Sequence, residues 1–368
     1  MKKIIILLVI SLTTGLLSAQ RINSVNSAAG FLTISPDARG SALGMAGVAT
    51  SPDINSQFWN PAKYVFAENK MGGALNYIPW STKMNDGSFN TYIPVYYKID
   101  NNQAVSGSFR YYTYGDEINL VDENNQLRGR HTPNEFAIDL AYARRLGEYF
   151  SGAVSFRYIR SAITKDVTNS GDKAGQAVAA DLSMFFYKPI QLFTQDFTLG
   201  AGANISNIGS KISYNKNGQS SFLPMNLRLG GSLGYELDKK HNFTITLDFN
   251  KFLVPTPSRN EDGTTGDAKL DKSIISAIFS SFGDAPDGFS EEIKEITTSI
   301  GFEYNYMKML SLRCGYFTQA EEKGGVKLIT TGAGIIYKKI TFDVAYLVPT
   351  YNKFIHNNEW RFTLGIKL

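Results

Sequence analysis

Apolar and polar residues alternate with period two over long stretches of this chain. At the C-terminal end Trp360, Phe362, Leu364, Ile366 and Leu368 alternate with Arg361, Thr363, Gly365 and Lys367. Phe243, Ile245, Leu247 and Phe249 alternate with Thr244, Thr246, Asp248 and Asn250, and Phe136, Ile138, Leu140 and Tyr142 with Ala137, Asp139, Ala141 and Ala143. Ile340, Phe342, Val344 and Tyr346 repeat the pattern around Asp343. Such alternation gives a strand one apolar and one polar face. Read this way, the chain predicts strands near 70–79, 89–98, 103–113, 134–145, 149–162, 174–187 and 195–208. Seven more fall near 222–236, 241–254, 292–306, 309–318, 325–338, 339–348 and 359–368. Fourteen is an even number, as bacterial outer-membrane barrels require.

The connections sort by parity. Short ones at 99–102, 146–148, 188–194, 238–240, 307–308 and 338–339 alternate with long ones at 80–88, 114–133, 163–173, 209–221, 255–291, 319–324 and 349–358. Membrane barrels have short periplasmic turns and longer extracellular loops, whereas a soluble sandwich has no reason to sort its loops. The expected fold is therefore all-β, a 14-stranded antiparallel transmembrane barrel, with short turns periplasmic and long loops extracellular.

Composition and leader agree. Tyr (20), Phe (24) and Gly (33) are abundant, which suits strands. The mean hydropathy of −0.17 argues against a bundle of membrane helices. Lys2 and Lys3, the apolar run Ile4 to Leu17 and the small residues Ser18-Ala19 read as a secretory signal over 1–19, with export to the outer membrane. No later stretch approaches the ~20 apolar residues of a membrane helix. Lys plus Arg total 37 against 33 Asp plus Glu, too balanced for a nucleic-acid partner. A lone Cys314 excludes disulfide frameworks and cysteine zinc sites; it shares its phase with Leu310, Leu312 and Tyr316 and should face lipid.

Within the strands the polar phase carries Asp139, Asp181, Asp248, Glu303 and Asp343 against Arg110, Arg157, Arg228, Arg313 and Arg361. These ten charges predict a salt-bridged, water-filled lumen, with a selective pore as the alternative. Gly200-Ala201-Gly202 and Gly332-Ala333-Gly334 lack the Lys-Ser/Thr of a phosphate loop and read as room on the lumen side.

Residues 20–68 do not alternate and are expected to fold inward as a hatch or plug, leaving 69–368 as the barrel. They hold the small-residue run Ala38-Arg39-Gly40-Ser41-Ala42-Leu43-Gly44-Met45-Ala46-Gly47-Val48-Ala49, then Asp53 and Trp59-Asn60-Pro61-Ala62. This pattern resembles the N-terminal hatch of the FadL family of outer-membrane transporters, whose barrels have fourteen strands. The longer string Ala38 to Asp53, continued by Phe58-Trp59-Asn60-Pro61-Ala62-Lys63, resembles the PorV branch, which serves the type IX secretion system. The resemblance implies Gly40, Gly44, Gly47, Asp53, Trp59, Asn60 and Pro61 as the hatch motif. It also implies three kinds of protein partner: the large translocon barrel, the C-terminal signal domains of secreted cargo, and the proteins of the surface attachment complex. The barrel itself implies contact with outer-membrane lipid and lipopolysaccharide.

The 255–291 connection is too long for a hairpin. Leu270, Ile274, Ile275, Ile278, Phe279 and Phe282 fall near helical spacing between the turn chemistry of Glu261-Asp262-Gly263 and Asp284-Ala285-Pro286-Asp287-Gly288. An external amphipathic helix either packs on the barrel mouth, docks a partner, or lines a lipid groove. The 114–133 loop carries Asp116, Glu117, Asp122, Glu123, Asn124, Asn125, Arg128, Arg130 and His131 without calcium-loop spacing, and reads as solvated turns. His131, His241 and His356 stand in or beside connections, and no Gly-x-Ser-x-Gly elbow occurs. The expectation is a non-enzymatic secretion barrel without cofactor or metal. Its rivals are a transporter of hydrophobic compounds and a lipid-modifying enzyme, the latter lacking any visible nucleophile–base pair.

Overall fold

The computed structural model describes residues 24–25, 27–80, 87–121, 126–164, 171–192, 194–216, 218–258, 260, 265–266, 269–351 and 357–368. The expected leader, Asp122 to Asn125, Glu261 to Gly263, His356 and the Arg128 side chain lie outside what is described.

The chain forms β1 (Met71–Pro79), β2 (Phe89–Lys98), β3 (Gln103–Thr113), β4 (Ile118–Val121), β5 (Leu127–His131), β6 (Asn134–Arg145), β7 (Phe150–Ala162) and β8 (Gly175–Leu192). There follow β9 (Gln195–Gly209), β10 (Asn226–Glu236), β11 (His241–Phe252), β12 (Thr297–Tyr306), β13 (Leu310–Thr318), β14 (Lys327–Tyr337), β15 (Ile340–Pro349) and β16 (Glu359–Lys367). Fourteen of these close into an antiparallel barrel, each beside its neighbour in sequence, with β1 sealing against β16 from Gly72↔Lys367 to Tyr77↔Phe362. Closure leaves no bare edge, which hydrocarbon would penalise. The other two, β4 and β5, make a separate ribbon inside the 114–133 connection, which the sequence reading had as a loop.

Several boundaries differ from the periodicity. Pairing continues through Ile190↔Phe197 to Leu192↔Gln195, so β8 and β9 meet almost directly where a turn over 188–194 is expected. Phe222, Leu223 and Met225 are buried ahead of β10 rather than extending it. Residues 292–296 do not begin β12: Phe289–Lys294 is helical, placing Glu291, Glu292 and Glu295 against two buried lysines described below. The short turns at one end hold Thr194, Met307, Lys308 and Lys338 at positive φ, the backbone that tight hairpins between twisted strands require.

The outward phase is mainly apolar: Leu140, Val154, Leu182, Phe302, Leu312 and Leu364 are all exposed. Rings cluster near both ends. Tyr77–Phe89, Phe136–Tyr158 and Tyr346–Trp360 lie toward the long connections, and Phe197–Tyr235 and Phe243–Tyr304 toward the short turns. Two aromatic girdles around an apolar band are the mark of a membrane barrel. Cys314 is exposed on this band. Among the described residues no helix is long and apolar enough to cross a membrane.

Candidate functional site

The lumen is occupied by residues 27–67. This segment starts at the long-loop mouth, where Ala28 N donates to Phe222 O at 2.9 Å. It ends beside the short turns, where Lys98 Nζ holds Ala67 O at 2.7 Å. Between these points it packs tightly enough that glycine in the wall is obligatory. A Cβ at Gly202 would collide with the Val48 carbonyl, one at Gly301 would lie 2.6 Å from Leu43 O, and one at Gly332 2.6 Å from the Ala42 methyl. The room read from the two Gly-Ala-Gly runs is filled by the segment at Gly200, Gly202 and Gly332. At Gly334 it is filled by the Asp343 carboxylate.

The seven motif residues converge. Gly40 and Gly47 both lie against the Trp59 ring, where any side chain would overlap it. Trp59 Nε1 donates to Asp37 Oδ1 at 2.7 Å, and Asp37 Oδ2 caps the short helix Ala38–Ala42 by accepting from Gly40 N at 2.7 Å. Gly44 has φ +70° and abuts the Tyr316 and Ile300 backbones. Asn60 ties the segment to itself and to the wall, donating to Val48 O (3.0 Å) and Met184 O (2.8 Å) while accepting from Ala62 N. Pro61 opens the 3-10 turn Pro61–Phe66, where its missing N–H costs nothing. Asp53 receives Arg39 at 2.9 Å.

The ten lumen charges are brought together, and they meet polypeptide rather than open water. Arg157 pairs with Asp139 and with Asp181 (3.0 Å), and Arg313 with Glu303 (2.6 Å) and Asp343 (2.6 Å). Asp248 accepts from Gly47 N (2.7 Å) and Val48 N (2.9 Å). Arg110 donates to Phe31 O at 2.9 Å, Arg228 to Phe58 O at 3.2 Å, and Arg361 to Ser35 O. Arg110 and Arg228 also flank the Phe58 ring at 4.8 and 4.7 Å, a cation–π sandwich. Arg110, Arg228, Arg361, Asp248 and, through Arg39, Glu303 thus fasten the segment, while Asp139, Arg157, Asp181, Arg313 and Asp343 tie wall strands to one another.

Three fasteners on the segment were not singled out by the sequence reading. Arg39 makes five hydrogen bonds, two of them a bidentate grip on Glu303 at 2.9 Å. Lys63 is fully buried and donates to Gly47 O (2.9 Å) and Thr50 Oγ1 (3.1 Å). Asp37 could have been found as an N-cap acid three residues before Gly40; Arg39 and Lys63 carry no local signal of their partners.

Above the segment, at the long-loop mouth, a cavity of about 330 Å³ is walled by Ile34, Met45, Trp59, Phe252, Phe317 and Leu347, with Arg228 and Arg361 also lining it. The β11–β12 connection borders it through Glu295. Here the expected helix is shorter than its apolar spacing suggests, Ile274–Ser280, capped by Ser273, and a second helix follows at Phe289–Lys294. The six candidate docking residues divide. Leu270, Ile274 and Ile278 pack down, half-buried, on Phe222, Met225, Leu253 and Val254. Ile275, Phe279 and Phe282 stay exposed, with Phe279 at 74%. Phe289 (80%) and Ile293 join them from the second helix, four residues apart as helical spacing requires.

Buried charges hold this element rigid. Lys323 bridges Glu291 (2.7 Å) and Glu295 (2.9 Å), and Lys251 bridges Glu292 (3.0 Å) and Glu295. Burial pushes the Glu295 carboxyl up, but hydrogen bonds from Lys251, Thr256 and Lys323 outweigh it and hold it below the usual glutamate range. Elsewhere His131 Nε2 lies 2.8 Å from Ala162 O and His241 Nδ1 2.7 Å from the Tyr304 hydroxyl. Among the described residues no group of three His, Cys, Asp or Glu side chains is placed to hold a metal ion.

A closed fourteen-stranded barrel with an apolar belt, filled by its own N-terminal segment, defines an outer-membrane β-barrel. A family model described as type IX secretion system protein PorV matches residues 17–259, more than half of the chain. The chain belongs to the PorV family. No curated protein matches it in sequence. In fold it is similar to a deletion mutant of TodX, a monoaromatic hydrocarbon channel (TM-score 0.50, 11% identity, covering 89% of this chain and 96% of that one). It is similar also to CymD, a monoaromatic hydrocarbon channel (TM-score 0.50, 10% identity, 91% and 98% covered). The Pseudomonas putida toluene transporter TodX aligns with TM-score 0.48 at 11% identity, covering 94% and 98%. At such identities the likeness is one of fold.

Proposed function

We propose that this chain is a non-enzymatic adaptor of type IX secretion. It would bind the large translocon barrel and the C-terminal signal domains of secreted cargo, and hand cargo to the surface attachment complex. In this reading 1–19 is a removed leader, 20–68 a plug and 69–368 the barrel, with the long loops extracellular. The observation that carries it is the set of exposed apolar side chains Ile275, Phe279, Phe282, Phe289 and Ile293, presented by two helices of one ion-paired connection beside a filled lumen. Apolar patches on a fixed scaffold mark interaction sites, and handover needs only differential affinity among the partners. The charged side chains of the lumen are engaged either with the segment or with one another, which supports an adaptor over a pore or an enzyme.

Phe279→Asp with Phe289→Asp tests this. Both side chains are exposed, so stability should change by less than about 0.5 kcal/mol each, while affinity purification from native membranes loses the translocon barrel and its cargo. Undiminished co-purification would reject the docking face. Ile278→Asp is unsuited to this test, because it would break the packing under the helix.

The cavity above the segment favours a second reading, a carrier of hydrophobic compounds. If that holds, the purified protein should retain radiolabelled fatty acid stoichiometrically and Trp59→Ala should change the amount retained. An adaptor retains none.

A further inference from the structure

The outer wall carries a second apolar recess, of about 550 Å³, unrelated to the mouth. Its sides are two outward rows in register across four strands. One is Leu233↔Ile245↔Phe302↔Cys314 and the other Tyr235↔Phe243↔Tyr304↔Leu312. The intervening row includes Thr244, Glu303 and Arg313; Glu303 and Arg313 are buried, so the floor between the ridges is backbone.

Depth follows from strand geometry. At a rise of ~3.3 Å per residue and a tilt of ~40°, each residue climbs about 2.5 Å along the membrane normal. Tyr304 and Phe302 precede the Met307 turn by three and five residues, so the ridges stand about 8 and 13 Å above it. That places the slot in the leaflet on the short-turn side.

Its lower rim is polar. The Tyr304 hydroxyl meets His241 Nδ1 at 2.7 Å, and the Tyr235 hydroxyl donates to Gln195. Below them the two adjacent turns, joined by Met307 N donating to Lys240 O at 2.7 Å, present exposed Lys239, Lys240 and Lys308. The acids nearby are Glu236 and Asp196, paired across β10 and β9 and both exposed, and Asp238, whose carboxylate caps Lys240 N and His241 N. Glu68 stands 3.8 Å from Lys308. Tyrosine and histidine at headgroup level with lysines beyond them complement a phosphate, as an apolar slot complements a hydrocarbon tail.

We propose that this sector, the lower half of β10 to β13, is a glycerophospholipid site: one acyl chain lies between the two ridges and the phosphate sits at the Lys239–His241 turn. A bound lipid there would be an ordered part of the wall rather than exchanging solvent. The recess is independent of the docking face.

The test is lipid mass spectrometry on the intact chain extracted in membrane-derived polymer discs and then exchanged into mild detergent. Wild type should retain about one phospholipid per chain. Cys314→Phe, which fills the slot from a lipid-facing position, should lower retention about fivefold, a loss equivalent to roughly one buried methylene or more. Lys239→Glu with Lys240→Glu should lower it similarly, and Val154→Phe on another part of the belt should leave it unchanged. Unheated gel mobility confirms that each barrel is folded. Retention of no phospholipid by wild type, retention of lipid A alone, or equal retention by Cys314→Phe would each overturn the site.

Discussion

A chain carrying Arg39→Met should keep its heat-modifiable barrel and lose its closed lumen. Arg39 spends all five guanidinium donors: two on Glu303, two on Ser51 and one on Asp53. It therefore joins the start of the segment to its midpoint and both to the wall. Methionine preserves the apolar stem but takes from Asp53 its hydrogen-bonded cation, leaving it a bond from Ser56, and removes half of the charge facing Glu303. Breaking a buried pair from one side typically costs about 3–5 kcal/mol. The strand ladder does not pass through Arg39, so that loss falls on the segment. Planar-bilayer recordings should show a marked rise in conductance over wild type, and Arg39→Lys an intermediate one, since a lysine cannot grip Glu303 with two parallel bonds. In a double-mutant cycle Arg39→Met and Glu303→Gln should couple by roughly 1–3 kcal/mol. Conductance equal to wild type would mean that the segment is held without this fastener.

The contrast between what was and was not legible follows from range. All fourteen wall strands were visible because each runs for nine residues or more, long enough for the alternation to show, and the parity of the connections repeated the information. The motif around Gly40, Gly47 and Trp59 was visible as composition. That both glycines serve one indole was not, because the contact is made across a fold of the chain. Asp248 was recognised as a lumen charge, but its partners are backbone N–H groups of Gly47 and Val48, some two hundred residues earlier. The mouth misled the reading for a different reason. Residues 292–296 read as the start of the strand that follows, while Glu291, Glu292 and Glu295 are drawn to a helical turn by Lys251 from β11 and Lys323 from the β13–β14 connection. Periodicity counts neighbours in sequence and is blind to such partners.

Those partners make the second strong expectation. Lys323→Ala should release the β11–β12 connection while the barrel stays intact. Lys323 is 4% exposed and sits between Glu291 and Glu295; without it Glu291 loses this ion pair and Glu295 is left to share Lys251 with Glu292. A local loss of about 3 kcal/mol would raise the open population of this loop roughly a hundredfold, read as faster proteolysis within 253–296. Acid should imitate the mutation. The folded-state carboxyl of Glu295 is held below its unfolded value, so its contribution is present above the usual glutamate range and disappears as pH falls through the lowered folded value. Wild-type proteolysis should therefore be flat from pH 7 to 5 and accelerate below about pH 4, while Lys323→Ala is already fast at neutral pH. Partner capture then separates two ideas of docking. If exposed Phe279 and Phe289 act merely as apolar surface, the loosened loop binds as well as before. If they act as a posed pair, binding must repay the ordering of the loop, and capture by Lys323→Ala should fall although neither phenylalanine has been touched.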